Sequence, residues 1–518
     1  MNFTPSDEIK LYDHQIRYLE QYGYRKNAAV FAEMGTGKTV MALKNIEELY
    51  LNDEVNTVLV IAPNGVQRNW IFSEIPKFLK NVEVDSYLWN HASTKKNAKE
   101  QENFLKPRKL EGNVYSLRIL AMNCEALATK KAFTFVEKFL SSSLKTMAVV
   151  DESDSFKNET ALRTKNLLKL SRLCRYKRIM TGTPVTNSPV DFYSQFEFLD
   201  KNILGSPNIY CFRAEYCCLL PPSSPMMQKI FQRTGKYPQL VETDKNGNPK
   251  FKNLEKLKTK YVPYSFIVRK SECLDLPEKI YKRAFFKLSD EQIKIMELCK
   301  DQFRILDAEG NLKGLTALTA LNKLSQIESG SYYSPESGEL VRLPEKTEKL
   351  EILKGIVTRA LSENQKIIIW CNFKFEIEDV ISALSEIEVK DVVQYHGGTS
   401  NEDRANAIEE FQNGKARVFI GTAKAGGIGL TLTAASVMIY YSNNYSLKER
   451  LQSEDRAHRI GQKRNVVYFD LICKNSISEK IFDTLDRKRA LANLMLESKS
   501  VSENFCEEVL KDFLWGEK

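Results

Sequence analysis

Two short strings in the first 160 residues carry the residue types needed to hold and split a phosphate chain. The first is Ala32-Glu33-Met34-Gly35-Thr36-Gly37-Lys38-Thr39. Its glycines let the backbone curl until N–H groups surround phosphate oxygens at the positive end of a helix. In such a loop Gly35, Thr36 and Gly37 cradle the phosphates and Lys38 bridges the β- and γ-phosphates. The Thr39 hydroxyl is then a Mg2+ ligand. The usual pattern begins with Gly, and here Ala32 stands in that place. The second string is Asp151-Glu152, at the end of the apolar run Met147-Ala148-Val149-Val150. Asp151 would hold Mg2+ through water, and Glu152 would polarise the attacking water. Two acids after a strand are often only a polar loop, but downstream of a phosphate loop they complete a nucleotide site. Upstream, Leu11-Tyr12-Asp13-His14-Gln15 offers an adenine clamp, because the Gln15 amide both donates and accepts hydrogen bonds. The expected chemistry is ATP hydrolysis with Mg2+.

These residues need a rigid frame. Ala28–Phe31, Thr57–Ala62, Leu117–Ala121, Thr146–Val150 and Lys177–Met180 are apolar runs separated by helical patterns such as Thr39–Leu51. The same grammar returns at Lys366–Trp370, Asp391–Tyr395, Ala416–Ile420, Ser436–Tyr440 and Asn465–Phe469. Short apolar runs between helices imply parallel sheets covered on both faces. The expected fold is α/β, with two parallel-sheet lobes in tandem, helical insertions between them and a C-terminal helical tail. The boundaries read as 1–200 for the first lobe, 201–345 for a helical, basic region and 346–475 for the second lobe. An inter-lobe linker is placed near 269–280, and 476–518 reads as C-terminal helices.

The chain has 518 residues, enough for two or three domains, with 42% apolar and 28% charged residues. No apolar run reaches the length of a bilayer, and the start lacks a basic and then greasy signal pattern. The expectation is a protein without membrane contact that stays in the compartment where it is made. Ten scattered cysteines without a Cys-x-x-Cys pair, and only four histidines, argue against zinc. Net charge is +9, and residues 201–264 hold eleven Lys and Arg against four Asp and Glu. This segment therefore carries most of the imbalance, as expected if it faces a polyanion. A solvated lysine-rich surface is the plainer account.

Taken in order, these strings resemble the motif series of superfamily-two helicases, specifically the Swi/Snf-type DNA-dependent ATPases, over nearly the whole chain. Ala62-Pro63 with Asn69-Trp70 resembles the first DNA-contact motif. Thr181-Gly182-Thr183-Pro184 with Asn187 resembles the motif that couples hydrolysis to lobe movement. Trp370-Cys371-Asn372-Phe373, Tyr395-His396-Gly397-Gly398 with Arg404, and Gly421–Leu430 resemble second-lobe motifs. The most family-specific string is Gln452-x-x-Asp455-Arg456-Ala457-His458-Arg459-Ile460-Gly461-Gln462. Arg456 and Arg459, a helical turn apart, would face the same way and act as arginine fingers on the γ-phosphate. The resemblance, which is to minimal bacterial or viral-type members, implies that both lobes are RecA-like and that the protein works in the cytoplasm, on a prokaryotic nucleoid or in a virus-infected cell. It adds Gly429 to the nucleotide contacts. It implies DNA contacts from Asn69, Trp70, Asn123, Asn372, His396, Gly397, Thr422 and Lys424, and the basic insertion adds Lys250, Lys252, Lys256 and Lys258. Three departures stand out. Asp154 replaces a usual His, Thr431 stands where many relatives have Asn, and Asn443-Asn444-Tyr445-Ser446 replaces Trp-Asn-Pro.

The leading reading is a DNA-dependent ATPase that translocates on double-stranded or forked DNA, remodelling forks or displacing bound proteins. A strand-separating DNA or RNA helicase is the alternative, with a loop aromatic such as Trp89 as its wedge. A nucleic-acid clamp with a weak ATPase is the third reading.

Overall fold

The computed structural model describes residues 10–91, 94–110, 115–244, 249–308, 314–334, 337–343, 347–427 and 430–496. Two compact units emerge, one ending at Leu274 and resuming at Lys488, the other spanning Asp275–Arg487.

The first unit is built on β1 (Asn27–Ala32), β2 (Thr57–Ala62), β3 (Val84–Leu88), β4 (Leu117–Asn123), β5 (Thr146–Asp151), β6 (Tyr176–Thr181) and β7 (Ser265–Val268). They form one sheet in the order β3-β4-β2-β5-β6-β1-β7, every pair parallel. β2 and β5 are buried at every residue, which explains their unbroken apolar sequence. β3, by contrast, is a half-buried edge containing Asp85 and Ser86, and no apolar run marks it. Apolar clusters cover both faces. Helices α1 (Asp13–Tyr22) and α2 (Lys38–Leu51) are joined to β6 by the buried Arg178. Its guanidinium donates to the Tyr18 hydroxyl at 3.2 Å, Asn45 Oδ1 at 3.0 Å and the Gly23 carbonyl at 2.9 Å. The Gly23 carbonyl lies at the end of α1, where a cation also suits the helix dipole.

The second unit starts on β8 (Lys279–Phe286), adds a hairpin of β9 (Ser331–Tyr333) and β10 (Leu340–Arg342), and continues through β11 (Lys366–Cys371), β12 (Val392–Tyr395), β13 (Val418–Thr422), β14 (Ala435–Tyr440) and β15 (Val466–Cys473). Its parallel sheet runs β12-β13-β11-β14-β15-β8. β8 thus begins at Lys279, inside the stretch 269–280 expected as linker, and the units divide within that stretch at Leu274 and Asp275. The strand pairs along β15 from Lys279↔Val466 to Phe286↔Cys473, and as an edge strand it is exposed through Tyr281–Arg283 and fully buried only at Phe286. Stretch 201–345 therefore supplies one strand to each sheet as well as helices such as Pro225–Thr234 and Leu254–Tyr261. No helix among the described residues is long and apolar enough to cross a membrane.

Polar anchors also hold the second sheet. Arg450, on the helix Leu447–Glu454, meets both oxygens of Asp470 on β15 and donates to Glu454 at 2.8 Å. Its guanidinium lies 3.5 Å from the ring centroid of Tyr440 on β14. Glu454 also receives Lys279 at 3.2 Å and the Tyr281 hydroxyl at 2.7 Å, both from β8. Removing the cation would leave the buried Asp470 without this ion pair, while Glu454 keeps Lys279. Arg450→Met is therefore expected to destabilise this unit by about 3–5 kcal/mol, measured as the shift of its urea unfolding midpoint.

Candidate functional site

The phosphate loop leaves β1 and enters α2 through Gly35 and Gly37, both in the left-handed region at φ 83° and 85°. The positive φ favours glycine at Gly37, and a Cβ there would also displace the Gln15 amide, meeting its Nε2 at 2.2 Å. The Lys38 ammonium folds back on the loop, donating to the Ala32 carbonyl at 2.8 Å and that of Glu33 at 3.3 Å. Gln15 does lie at the loop. Its Oε1 accepts the Tyr12 N–H at 3.1 Å and its Nε2 donates to the Thr36 carbonyl at 3.2 Å. His14 Nε2 donates to the same carbonyl at 2.7 Å. Thr36 is held further by its own hydroxyl on the Glu33 carbonyl.

β6 lies between the loop strand β1 and the acid strand β5, with Phe31 opposite Thr181 and Asp151 opposite Met180. This order brings Thr181-Gly182 against both halves of the site. A Cβ on Gly182 would lie 3.3 Å from the Met34 N of the loop. The Thr181 hydroxyl faces Glu152 Oε2 at 3.3 Å and Asp154 Oδ1 at 3.4 Å. With one proton to give, it satisfies one carboxylate at a time. The next residues are tied in too, since Ser153 donates to Gln195 at 2.6 Å and Gln195 donates to the Pro184 carbonyl at 2.9 Å. Glu152 sits at φ 51°, ψ 56°, a conformation costing roughly 1–3 kcal/mol outside glycine and concentrated at functional sites.

Asp151 is buried. Its carboxyl is pushed up to about 6, first by burial and then by the neighbouring Glu152 charge. The Trp70 indole and the Glu152 N–H donate to its two oxygens at 3.0 and 3.1 Å and oppose that rise. Mg2+ takes hard oxygen ligands and keeps several waters. Asp151 and Thr39, on the first turn of α2, are donors of that type, and a cation would relieve the repulsion at Asp151. Among the described residues no three or more His, Cys, Asp and Glu gather to hold a metal alone, so phosphate and water would complete the shell. The residues fit Mg2+ on those terms.

In the second unit the arginines depart from expectation. The helix ends at Glu454, so Arg456 and Arg459 lie on the turns beyond it rather than one helical turn apart. They still converge, each donating to the Leu430 carbonyl, at 3.3 and 3.1 Å. Gly429 lies outside the described residues. Asn372, Thr422 and Lys424 line one cleft of about 600 Å3 at the ends of β11 and β13, with Asn443 and Asn444. Glu376 shapes its rim, its Oε2 accepting the N–H groups of Asn372 and Phe373 at 2.9 and 3.0 Å and the Ser442 hydroxyl at 2.6 Å. His396 and Gly397 do not line that cleft. They follow the edge strand β12, where Gly398 donates its N–H to His396 Nδ1 and Arg404 donates to the His396 carbonyl.

Residues 14–329 match the SNF2-related domain and 348–461 the helicase conserved C-terminal domain. The chain belongs to the SNF2 family. It is 26% identical over 495 residues to a putative ATP-dependent helicase/translocase, YwqA, of Bacillus subtilis, covering 93% of this chain and 48% of the relative. An uncharacterized ATP-dependent helicase of Mycoplasma genitalium is 27% identical over 490 residues, covering 93% and 41%. The ISWI chromatin-remodeling complex ATPase of Saccharomyces cerevisiae is 25% identical over 509 residues, covering 94% and 40%. The chain thus spans less than half the length of these relatives. A Sulfolobus solfataricus SWI2/SNF2 ATPase core in complex with dsDNA covers 99% of each chain at 22% identity and a TM-score of 0.40, a score that supports no argument.

Within this SNF2-family chain several expected nucleic-acid contacts are placed otherwise. Trp70 is 1% exposed and points to Asp151, so it has no surface to offer DNA, whereas its neighbour Asn69 is exposed. Asn123 accepts the Ala126 N–H at 2.8 Å in a local turn. Lys258 is 6% exposed and paired with Glu255, so it is not a phosphate contact. Lys250 pairs with Glu242, and Lys256 with Glu215, while Lys252 is exposed. Trp89 is buried against Phe135, with ring centroids 5.0 Å apart, and cannot act as a wedge. No local signal pairs Trp70 with Asp151, His14 with Thr36 or Gln195 with Ser153, because each partner lies more than twenty residues away in sequence.

Asp151 also sets a pH dependence of stability. Its folded pKa lies above the ordinary carboxylate value near 4, so its contribution is full below about pH 4 and is lost as pH rises through about 6. Asp151→Asn is expected to melt with wild type at pH 4 and above it at pH 7.5, by calorimetry in EDTA without nucleotide.

Proposed function

We propose that this chain hydrolyses ATP and couples turnover to movement along double-stranded DNA without separating the strands. The observation that carries the first half is Thr181-Gly182 lying between the phosphate loop and the acids, its hydroxyl on Glu152 and Asp154. In this reading the loop N–H groups and Lys38 bind the phosphates, and Gln15 keeps one amide hydrogen for the base. Glu152 takes the proton of the attacking water. Thr39 and Asp151 would hold Mg2+, which when bound offsets charge on the phosphates. Arg456 and Arg459, gathered at the Leu430 carbonyl, supply positive charge in the transition state. Relatives named as ATP-dependent helicases and a translocase support this half.

The DNA half draws on three features. The cleft that holds Asn372, Thr422 and Lys424 also carries Arg450 and one acid, Glu449, and its amide, hydroxyl and cationic groups are of the types that contact a phosphodiester backbone. Asn69 is exposed beside the first-unit site. The helix Pro225–Thr234 and the loop after it present exposed Lys229, Arg233 and Lys236, with no acid from Tyr216 to Val241. A DNA substrate would place the protein in the compartment that holds DNA.

Lys38→Ala is expected to weaken ATP binding, whereas Glu152→Gln keeps ATP bound and lowers turnover by about 10²–10⁴. Turnover of Glu152→Gln within tenfold of wild type removes Glu152 from the base role. For the track, a third strand paired in the major groove should be displaced with ATP while an ordinary tailed duplex of similar length stays annealed. Efficient opening of the tailed duplex would instead assign strand separation, which must meet roughly 1.4 kcal/mol per base-pair step.

A further inference from the structure

Trp70 is a large indole buried at 1% exposure, and its N–H points at a carboxylate. The donor is Nε1 and the acceptor Asp151 Oδ2, at 3.0 Å and 81 residues apart in sequence. The other oxygen of Asp151 accepts the adjacent Glu152 N–H. Thus the carboxylate is oriented at both oxygens, once by its own chain and once by a separate segment.

That segment is unusual. Val66–Asn69 is one α-helical turn and Ile75–Phe78 another, and between them Trp70–Glu74 is a π-helical turn. A π turn carries an extra residue, redirects side chains and recurs at functional sites. Here it begins at the residue whose indole reaches the acid. Ile71, Ile75 and Leu79 of the same segment are buried in the core cluster that holds Trp70 and α2 residues Met41, Leu43 and Ile46. Asn69, immediately before Trp70, is exposed. One short segment therefore presents a polar side chain to solvent and the next residue to Asp151.

We propose that Trp70 is a positioning residue for Asp151, and that through it the segment carrying Asn69 sets how tightly Mg2+ and nucleotide are held together. The proposal rests on the reading of Asp151 as the metal-holding carboxylate. A hydrogen-bond donor behind a ligating carboxylate fixes the direction of its lone pairs, and losing such a partner commonly costs 10–100-fold in metal affinity. Because the donor belongs to a segment with an exposed contact residue, anything that shifts that segment shifts the carboxylate. The coupling is reciprocal, so Mg2+-nucleotide must also bias the segment.

The test is Trp70→Phe in the full chain, which keeps a ring in the core and removes the N–H. Equilibrium affinity for a fluorescent ATP analogue is measured across a Mg2+ titration and in EDTA, without turnover. The half-saturating Mg2+ concentration is expected to rise about 10-fold or more, while affinity in EDTA stays within about twofold of wild type. An unchanged Mg2+ dependence overturns the proposal, as does an equal loss with and without Mg2+, which would make Trp70 a packing residue. If Trp70→Phe does not fold, 3-benzothienylalanine at position 70, which exchanges the N–H for sulfur at nearly constant shape, gives the same readout. Repeating the titration with duplex DNA tests the coupling. DNA should change the Mg2+-nucleotide affinity of wild type and change that of Trp70→Phe less, whereas an equal effect on both overturns it. Wild-type protein that binds no ATP analogue would refute the proposed function instead.

Discussion

Asp151, Glu152 and Asp154 stand together at the tip of one buried strand, and the polar groups around them answer that crowding. Carboxylates removed from water repel one another and resist ionisation, as the raised Asp151 carboxyl reflects. The structure meets this with the nearby Lys38 charge and with neutral donors, namely the Trp70 indole, the Glu152 N–H and the Thr181 hydroxyl. Neutral donors orient the acids without cancelling their charge. The place is thereby kept attractive to a cation, and the strained backbone of Glu152 is held by the same contacts.

The second unit solves the opposite problem. Arg450, Lys279, Glu454 and Asp470 are charges gathered inside the fold, and there each is matched by its opposite. This pairing is structural, joining β8, β14, β15 and the helix before Arg456. The residues beyond that helix do not complete another turn. Arg456 and Arg459 reach the Leu430 carbonyl through turns, so their convergence depends on the fold and would not follow from helical spacing. Glu376 plays a similar part at the neighbouring cleft, where one carboxylate oxygen gathers two backbone N–H groups and a hydroxyl.

Charge counted along a segment differs from charge displayed on a surface. Residues 201–264 are basic in sum, yet Glu215, Glu242 and Glu255 each take up lysines there. The exposed positive strip falls instead on Lys229, Arg233 and Lys236, which lie in a stretch without acids. Composition identified the segment, and folding chose which cations face water.

The sequence by itself determined the two parallel sheets, the glycine loop between β1 and α2, and the acid pair at the end of a strand. Each depends on neighbours within a few residues, whether apolar runs that must be buried on both faces, glycines where φ is positive, or acids directly after a strand. It left β3, β7 and β8 unmarked, because edge or short strands lack the continuous apolar pattern. Only the tertiary structure decided that β6 lies between the two halves of the site, that Trp70 turns inward to Asp151, and that Lys258 is buried. Those outcomes depend on partners tens of residues away in sequence, and the identity of a residue carries no record of what the fold will pack against it.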